Sequence, residues 1–296
     1  MPELPEVHAL VTDLRTRLVG RRIARLEMVS FAALKTFDPP ATALGGGTIT
    51  HVDRHGKFLD IVVETDDGVL HLIIHLARAG WLRWRQAAPQ SSGRPNRGPL
   101  AARLVLADDE ALATGSGFDL TEAGTKKSLA LWVVRHPADV ERIGTLGPDP
   151  LSQTFTRDVL AGILAASGRS QLKGLLRNQS VIAGIGNAYS DEILHVARMS
   201  PFTPATLDDA QIDRLYSAIR ETLGSAVERA DGLAASELKG EKKTNLRVHG
   251  RTGEPCPVCG DTIRQVIYAD STFQYCPTCQ TGGKPLADRV LSRLLK

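Results

Sequence analysis

Apolar residues recur at helical spacing from the first turn of the chain, with Val7, Leu10, Val11, Leu14 and Leu18 on one face. Pro5 suits a first helical turn, where its missing N–H leaves no bond unmade, so residues 5–18 are predicted to form one amphipathic helix. The period then shortens. Arg22–Val29, Thr48–Asp53, Lys57–Glu64, Val69–Leu76, Leu100–Ala107 and Ser128–Val134 are short strand-like runs separated by turn or charged clusters. So many strands without intervening helices predict an antiparallel sandwich or barrel with the first helix lying along it. Residues 85–99, rich in Pro, Ser, Gly and Arg, read as a loop.

The pattern changes after Leu146-Gly147-Pro148-Asp149-Pro150. From there to about residue 230 it is helical, with one stripe at Phe155, Val159, Leu160, Ile163 and Leu164. A second stripe, at Ile212, Leu215, Ile219, Leu223 and Val227, is entered through Thr206 with Asp208 and Asp209 in its first turn. Residues 231–251 are polar and basic. No internal repeat is visible. The expected organisation is α+β: an N-terminal β-sandwich domain (1–135), a helical domain (136–238), and a small C-terminal domain with a tail (239–296).

Composition narrows the class without choosing a function. The chain has 296 residues, 42% of them hydrophobic and 23% charged, as in ordinary globular proteins. No apolar run approaches the roughly 20 residues that span a bilayer, and MPELPEVHAL does not have the basic-then-apolar order of a secretory signal. A cytoplasmic protein is expected. The net charge of +3 permits a nucleic-acid partner without requiring one.

The cysteines say more. All four lie near the end, as Cys256-x2-Cys259 and Cys276-x2-Cys279. A two-residue spacer lets one tight turn present two sulfurs, and two such knuckles at this separation match a structural zinc ribbon. The plainer alternative is two unrelated thiol pairs or a redox motif, but no βαβ pattern surrounds either pair. Four protein ligands would leave the metal no open position for chemistry.

Two segments carry candidate chemistry. Small Pro2 after Met1 is a context in which the initiator methionine is removed, leaving a secondary amine that titrates well below lysine and can act as a nucleophile. Attack on a sugar C1′ would give an iminium with no N–H to lose, an electron sink that favours elimination of the 3′ and then the 5′ phosphate. Glu3 and Glu6 could move protons beside it. The alternative is a plain helix start, with both acids placed favourably at the positive end of the helix dipole. In Val181–Asn187 (VIAGIGN), Gly184 and Gly186 allow close backbone approach and a helix opens at Asn187, an arrangement that cradles phosphate. Read alone, it is also a common tight turn.

Taken together, PELPEV at 2–7, HGKFL at 55–59, LGPDPL at 146–151, LKGLLRNQSVIAGIGNAYSDEIL at 172–194 and VHGRTGEPCPVCG…YCPTCQ at 248–280 resemble the formamidopyrimidine-DNA glycosylase / endonuclease VIII family over essentially the whole chain. The resemblance implies a β-sandwich, a helix-two-turn-helix domain and one structural zinc, with damaged DNA held in a cleft between the lobes. It implies Pro2 as nucleophile, Glu3 as proton donor, Glu6 as the group that orients the sugar, and Lys57 on a phosphate beside the lesion. It places Lys173, Gly186 and Asn187 at the DNA backbone, while Tyr189, Asp191 and Glu192 hold the helical hairpin together. The implied protein is a bacterial-type, nucleoid-associated monomer of base excision repair.

Three positions depart from that pattern. Asp270 stands where the finger usually carries an arginine. Arg78 replaces the methionine that usually fills the space left by the everted base, and could do so by stacking its planar guanidinium. Leu120–Lys127 has no aromatic residue to wedge into the duplex. A non-catalytic damage sensor of the same fold, or a module for protein–protein contacts, are the rival readings.

Overall fold

The computed structural model describes residues 1–87, 98–107, 115–123, 126–268 and 271–287. Part of the expected loop (88–97), Gly124 and Thr125 of the wedge segment, and Asp270 lie outside the described residues. Two compact units emerge. The first comprises Met1–Thr145 with Ala230–Leu238, and the second Leu146–Arg229 with the chain from Lys239 onward.

The first unit is a sandwich of two antiparallel four-stranded sheets. Its strands are β1 (Ile23–Met28), β2 (Thr48–His55), β3 (Phe58–Thr65), β4 (Gly68–His75), β5 (Gly80–Arg85), β6 (Leu100–Leu106), β7 (Gly117–Glu122) and β8 (Ala130–Val134). Strand order is β1-β6-β7-β5 in one sheet and β2-β3-β4-β8 in the other. Alternation decides the inner faces: Leu59, Ile61 and Val63 of β3, Leu70, Leu72 and Ile74 of β4, and Phe118 and Leu120 of β7 share one core. Helix α1 (Leu4–Leu18) adds Val7, Leu10, Val11, Leu14 and Leu18 to it, the five positions its periodicity indicates.

Strands β5 and β7 were hidden from pattern reading by their charges. Asp119 of β7 is buried, and its carboxylate accepts from Arg103 Nε of β6 at 2.6 Å and Arg85 Nε of β5 at 2.9 Å. Burial raises its pKa, but these two guanidiniums outweigh burial and hold the carboxyl below its ordinary range. A buried polar residue is tolerated when its neighbours complete it. That cannot be seen one strand at a time.

The first unit does not stop at residue 135. Short helix α2 (Glu141–Gly144) and the turn before it bring Val140 and Ile143 against Phe58, Ile73 and Val134, which carries the unit to Thr145. Residues 230–238 return to it as well. Ala230, Ala235 and Leu238 join the sandwich core, and Trp81 Nε1 donates to the Ala235 carbonyl at 2.9 Å.

The second unit contains α3 (Arg157–Ser167), α4 (Leu172–Arg177), α5 (Asn187–Val196) and most of α6 (Asp209–Ala230) and α7 (Leu238–Asn245). A β-hairpin of β9 (Arg264–Tyr268) and β10 (Ser271–Tyr275) and the short helix α8 (Pro277–Thr281) follow. Phe155, Leu160, Leu164, Leu172, Leu176, Ile193, Leu215, Ile219 and Leu223 form its core. Val159, expected on the apolar stripe of α3, is exposed because it lies one residue off the face that Leu160 and Leu164 bury. Thr206 does not begin α6. Asp208 does, by a reciprocal box in which its carboxylate accepts the Gln211 N–H at 2.8 Å and Gln211 Oε1 accepts the Asp208 N–H at 3.0 Å.

Candidate active site and phosphate-binding loop

At the N-terminus, Glu3 caps α1 and Pro5 occupies its first turn. Glu6, three residues after the cap, turns back so that its Oε2 accepts the Glu3 N–H at 2.8 Å. Helix geometry thereby fixes the backbone next to Pro2. Pro2, Glu3 and Glu6 are all buried, whereas Met1 is half exposed. The arrangement is one buried proline followed by two buried carboxylates, both engaged in the reciprocal box that starts the helix.

Lys57 lies one residue earlier than the strand start expected for it. His55 and Phe58 pair across β2 and β3, so Gly56 and Lys57 are the two residues of the hairpin turn. Gly56 has φ +55°, a region that costs other residues strain. Residues not singled out in the sequence pin this turn: Asp60 of β3 accepts from His55 Nε2 at 2.9 Å and from His71 Nδ1 at 3.0 Å. Those interactions outweigh the burial that raises the Asp60 pKa and hold it below the usual range. Arg78 is exposed in the turn between β4 and β5, after Ala77 at φ +53°.

His75, at the end of β4, packs on the Phe58 ring with 4.7 Å between centroids. Burial, and then the positive charges of Arg142 and Lys57, lower its pKa from 6.5 to about 4. Between those values the unfolded chain binds the proton and the folded one does not, so stability falls as pH drops through that window. Urea unfolding of wild type is expected to lose about 3 kcal/mol more between pH 7 and pH 4 than His75→Gln. Parallel pH profiles for the two proteins would contradict this assignment.

In the second unit, the loop from α4 to α5 is braced from both sides. Gln179 Oε1 accepts the Gly184 N–H at 2.9 Å, and its Nε2 donates to the carbonyls of Arg177 and Ile185 at 2.8 and 2.7 Å. Gly147 donates its N–H to the Gln179 carbonyl at 2.9 Å, and a Cβ at Gly147 would stand 2.4 Å from the Val181 backbone. The LGPDPL segment, legible in the sequence only as a boundary, is thus a support for this loop. Gly184 has φ +88°, Gly186 is the extended cap, and α5 opens at Asn187 as predicted.

Lys173, expected at the DNA backbone, is held inside the fold in this structure. It is wholly buried, and its ammonium pairs with Asp191, lies 3.3 Å from the Asn187 carbonyl and sits 4.4 Å from the centre of the Phe273 ring. A buried ammonium needs such partners, and with them it braces the loop rather than offering a surface cation. Asp191 also accepts from His249 Nδ1 at 2.7 Å, and Glu192 accepts the backbone N–H groups of Arg247, Val248 and His249 at 2.7–2.9 Å. Burial raises the Glu192 pKa, and those three donors oppose it. Asn187 Nδ2 donates to the Thr272 carbonyl at 3.0 Å. All these bonds tie the cysteine-bearing segment to α5.

Cys256, Cys259, Cys276 and Cys279 bring four sulfurs within 4.8 Å of one another, with Cys259–Cys276 at 3.3 Å and Cys256–Cys279 at 3.9 Å. A tetrahedral zinc held by four thiolates, with bonds of about 2.3 Å, has sulfurs about 3.8 Å apart. The donor set and its size fit one zinc ion. Among the described residues no other such group of His, Cys, Asp or Glu occurs, and no helix is long and apolar enough to cross a membrane.

Comparison with known proteins agrees with this geometry. Residues 1–115 match the model of the formamidopyrimidine-DNA glycosylase N-terminal domain, and residues 146–237 match the H2TH domain of the same enzymes. The formamidopyrimidine-DNA glycosylase of Symbiobacterium thermophilum is 35% identical over 290 residues, covering 95% of this chain and 89% of that one. The chain belongs to the formamidopyrimidine-DNA glycosylase family. Among solved structures of the family, MutM (Fpg) from Thermus thermophilus superimposes with a TM-score of 0.77 at 31% identity, covering 96% of this chain and all of that one. The Lactococcus lactis formamidopyrimidine-DNA glycosylase, solved bound to DNA containing an AP site, gives 0.77 at 26% identity, covering 94% and 99%.

Proposed function

We propose that this chain is a DNA glycosylase with AP-lyase activity in base excision repair, acting through the Pro2 amine after Met1 is removed. The observation that supports this reading is the buried start of α1, where Glu6 holds the backbone N–H of Glu3, the residue next to Pro2, and both carboxyl groups are buried. The amine attacks C1′ of the damaged nucleotide, the C1′–N bond breaks, and the base leaves with a proton supplied by Glu3; the new ammonium returns a proton to Glu3, which passes it to O4′ as the C1′–O4′ bond opens and the iminium forms. Loss of a C2′ proton from the iminium expels the 3′ phosphate, and a second elimination expels the 5′ phosphate. Lys57, at its hairpin tip, takes a phosphate beside the lesion, and Arg78 fills the gap left by the everted base. Gly186, Asn187 and the amides of the braced loop take the backbone, as helix N-termini do, with Lys173 acting through the loop. One structural zinc shapes the ribbon. The Lactococcus enzyme bound to AP-site DNA supports DNA as the partner.

A non-catalytic sensor is the second reading, favoured by Asp270 where an arginine is usual in the family. End-labelled duplexes carrying a base-less site, an oxidised purine or an oxidised pyrimidine separate the two. An enzyme cuts the base-less duplex and leaves phosphate on both new ends. A protein that binds this duplex with a steep salt dependence but never cuts it is a sensor.

A further inference from the structure

The four thiols have a neighbour on α5. His195, in the last turn of that helix, is 3% exposed, and its Nε2 lies 3.3 Å from Cys256 Sγ. Its other ring nitrogen, Nδ1, is buried without a hydrogen-bond partner. These two facts choose the tautomer. A proton on Nδ1 alone would bury an unsatisfied donor and turn the Nε2 lone pair onto sulfur. A proton on Nε2 makes an N–H···S bond and leaves only an acceptor unmet, the lesser cost.

The sulfur has need of such a donor. Cys256 is buried with Val248, Ile263 and Cys276, so little water reaches it. Four thiolates around one divalent ion carry a net charge of −2, and charge in an apolar setting must be met by hydrogen bonds. Donation of an N–H to one thiolate withdraws electron density from it and lowers that charge without changing the ligand set.

We propose that His195 donates Nε2–H to the zinc-bound thiolate of Cys256, strengthening the metal's hold and anchoring the C-terminal end of α5 to the ribbon. The opposite end of α5 carries Asn187, bonded to Thr272 of the same ribbon, and Asp191 and Glu192 join the two midway. The metal is therefore coupled to the helix whose first turn faces phosphate in the proposed function. This inference rests on the reading of the cysteines as a zinc site.

The test compares full-length wild type with His195→Gln, which keeps an N–H at similar reach, and with His195→Phe and His195→Leu, which have none. Two donor-less variants guard against one failing to fold. Each protein is loaded with Co2+, and the thiolate-to-cobalt charge-transfer band is recorded. Zinc-loaded samples are then mixed with a chromogenic chelator. Loss of the N–H is expected to move the band to lower energy and to weaken zinc retention by roughly 10- to 100-fold, with Gln restoring both. Failure of wild type to take up one metal per chain overturns the zinc reading and this inference with it. Uptake with the same band and the same release in all four proteins overturns the role of His195 alone.

Discussion

Borohydride added to this protein and a base-less oligonucleotide is expected to trap one covalent complex, with the adduct on Pro2. The chemistry demands a free amine, and the Pro2 amine titrates well below a lysine, so more of it is neutral and able to form a reducible iminium with the opened sugar. Any residue left in front of Pro2 turns the amine into an amide, which is not nucleophilic. A variant that retains Met1, or carries one extra residue before Pro2, should therefore show no trapping at all. Replacement of Glu3 by Gln should act differently: base removal should fall by the factor of about 10²–10⁴ typical of a lost general acid, while trapping on a base-less site survives. An adduct found on Lys57 instead would refute the assignment of Pro2 and move the nucleophile to the β2–β3 turn.

The second large effect is expected at the metal. Cys256→Ser or Cys276→Ser should release the zinc and unfold the ribbon, since a segment this small has too little apolar surface to stay folded alone. Among the described residues the sandwich core and the ribbon core share no member, so the sandwich's own unfolding transition should persist. DNA affinity should fall by well over tenfold, because the ribbon buttresses α5 through Asp191, Glu192 and Asn187. Metal analysis decides the premise. A stoichiometry near zero in wild-type protein purified without chelators would remove the ribbon from the argument.

Much of this was legible in the sequence, for identifiable reasons. The face of α1 and the inner strands β3 and β4 follow from periodicity, because the positions they contribute to the sandwich core are apolar. Two CxxC knuckles announce a metal site because ligand spacing is local. The opening of α5 at Asn187 was legible because glycines punctuate the backbone. What failed was non-local. Strands β5 and β7 are recognisable only when Asp119 is seen between Arg103 and Arg85. Nothing local to Lys173 shows that Asp191, 18 residues later, pairs with its charge inside the fold. Asp60 and His71 carry no motif, yet they steady the turn that presents Lys57. In each case a buried polar group takes its meaning from a partner that the local pattern does not reveal.

The return of Ala230–Leu238 to the sandwich makes residues 146–229 an insertion, fastened to the first unit's chain at both ends. A gene cut after codon 145 would encode all eight strands but omit Ala230, Ala235 and Leu238, leaving holes in the core and Trp81 without its carbonyl. The two units are thus not a tandem pair that recombination could exchange at a single joint. Transplanting the sandwich onto another DNA-binding module would require three joints, one on either side of residues 146–229 and a third after Leu238.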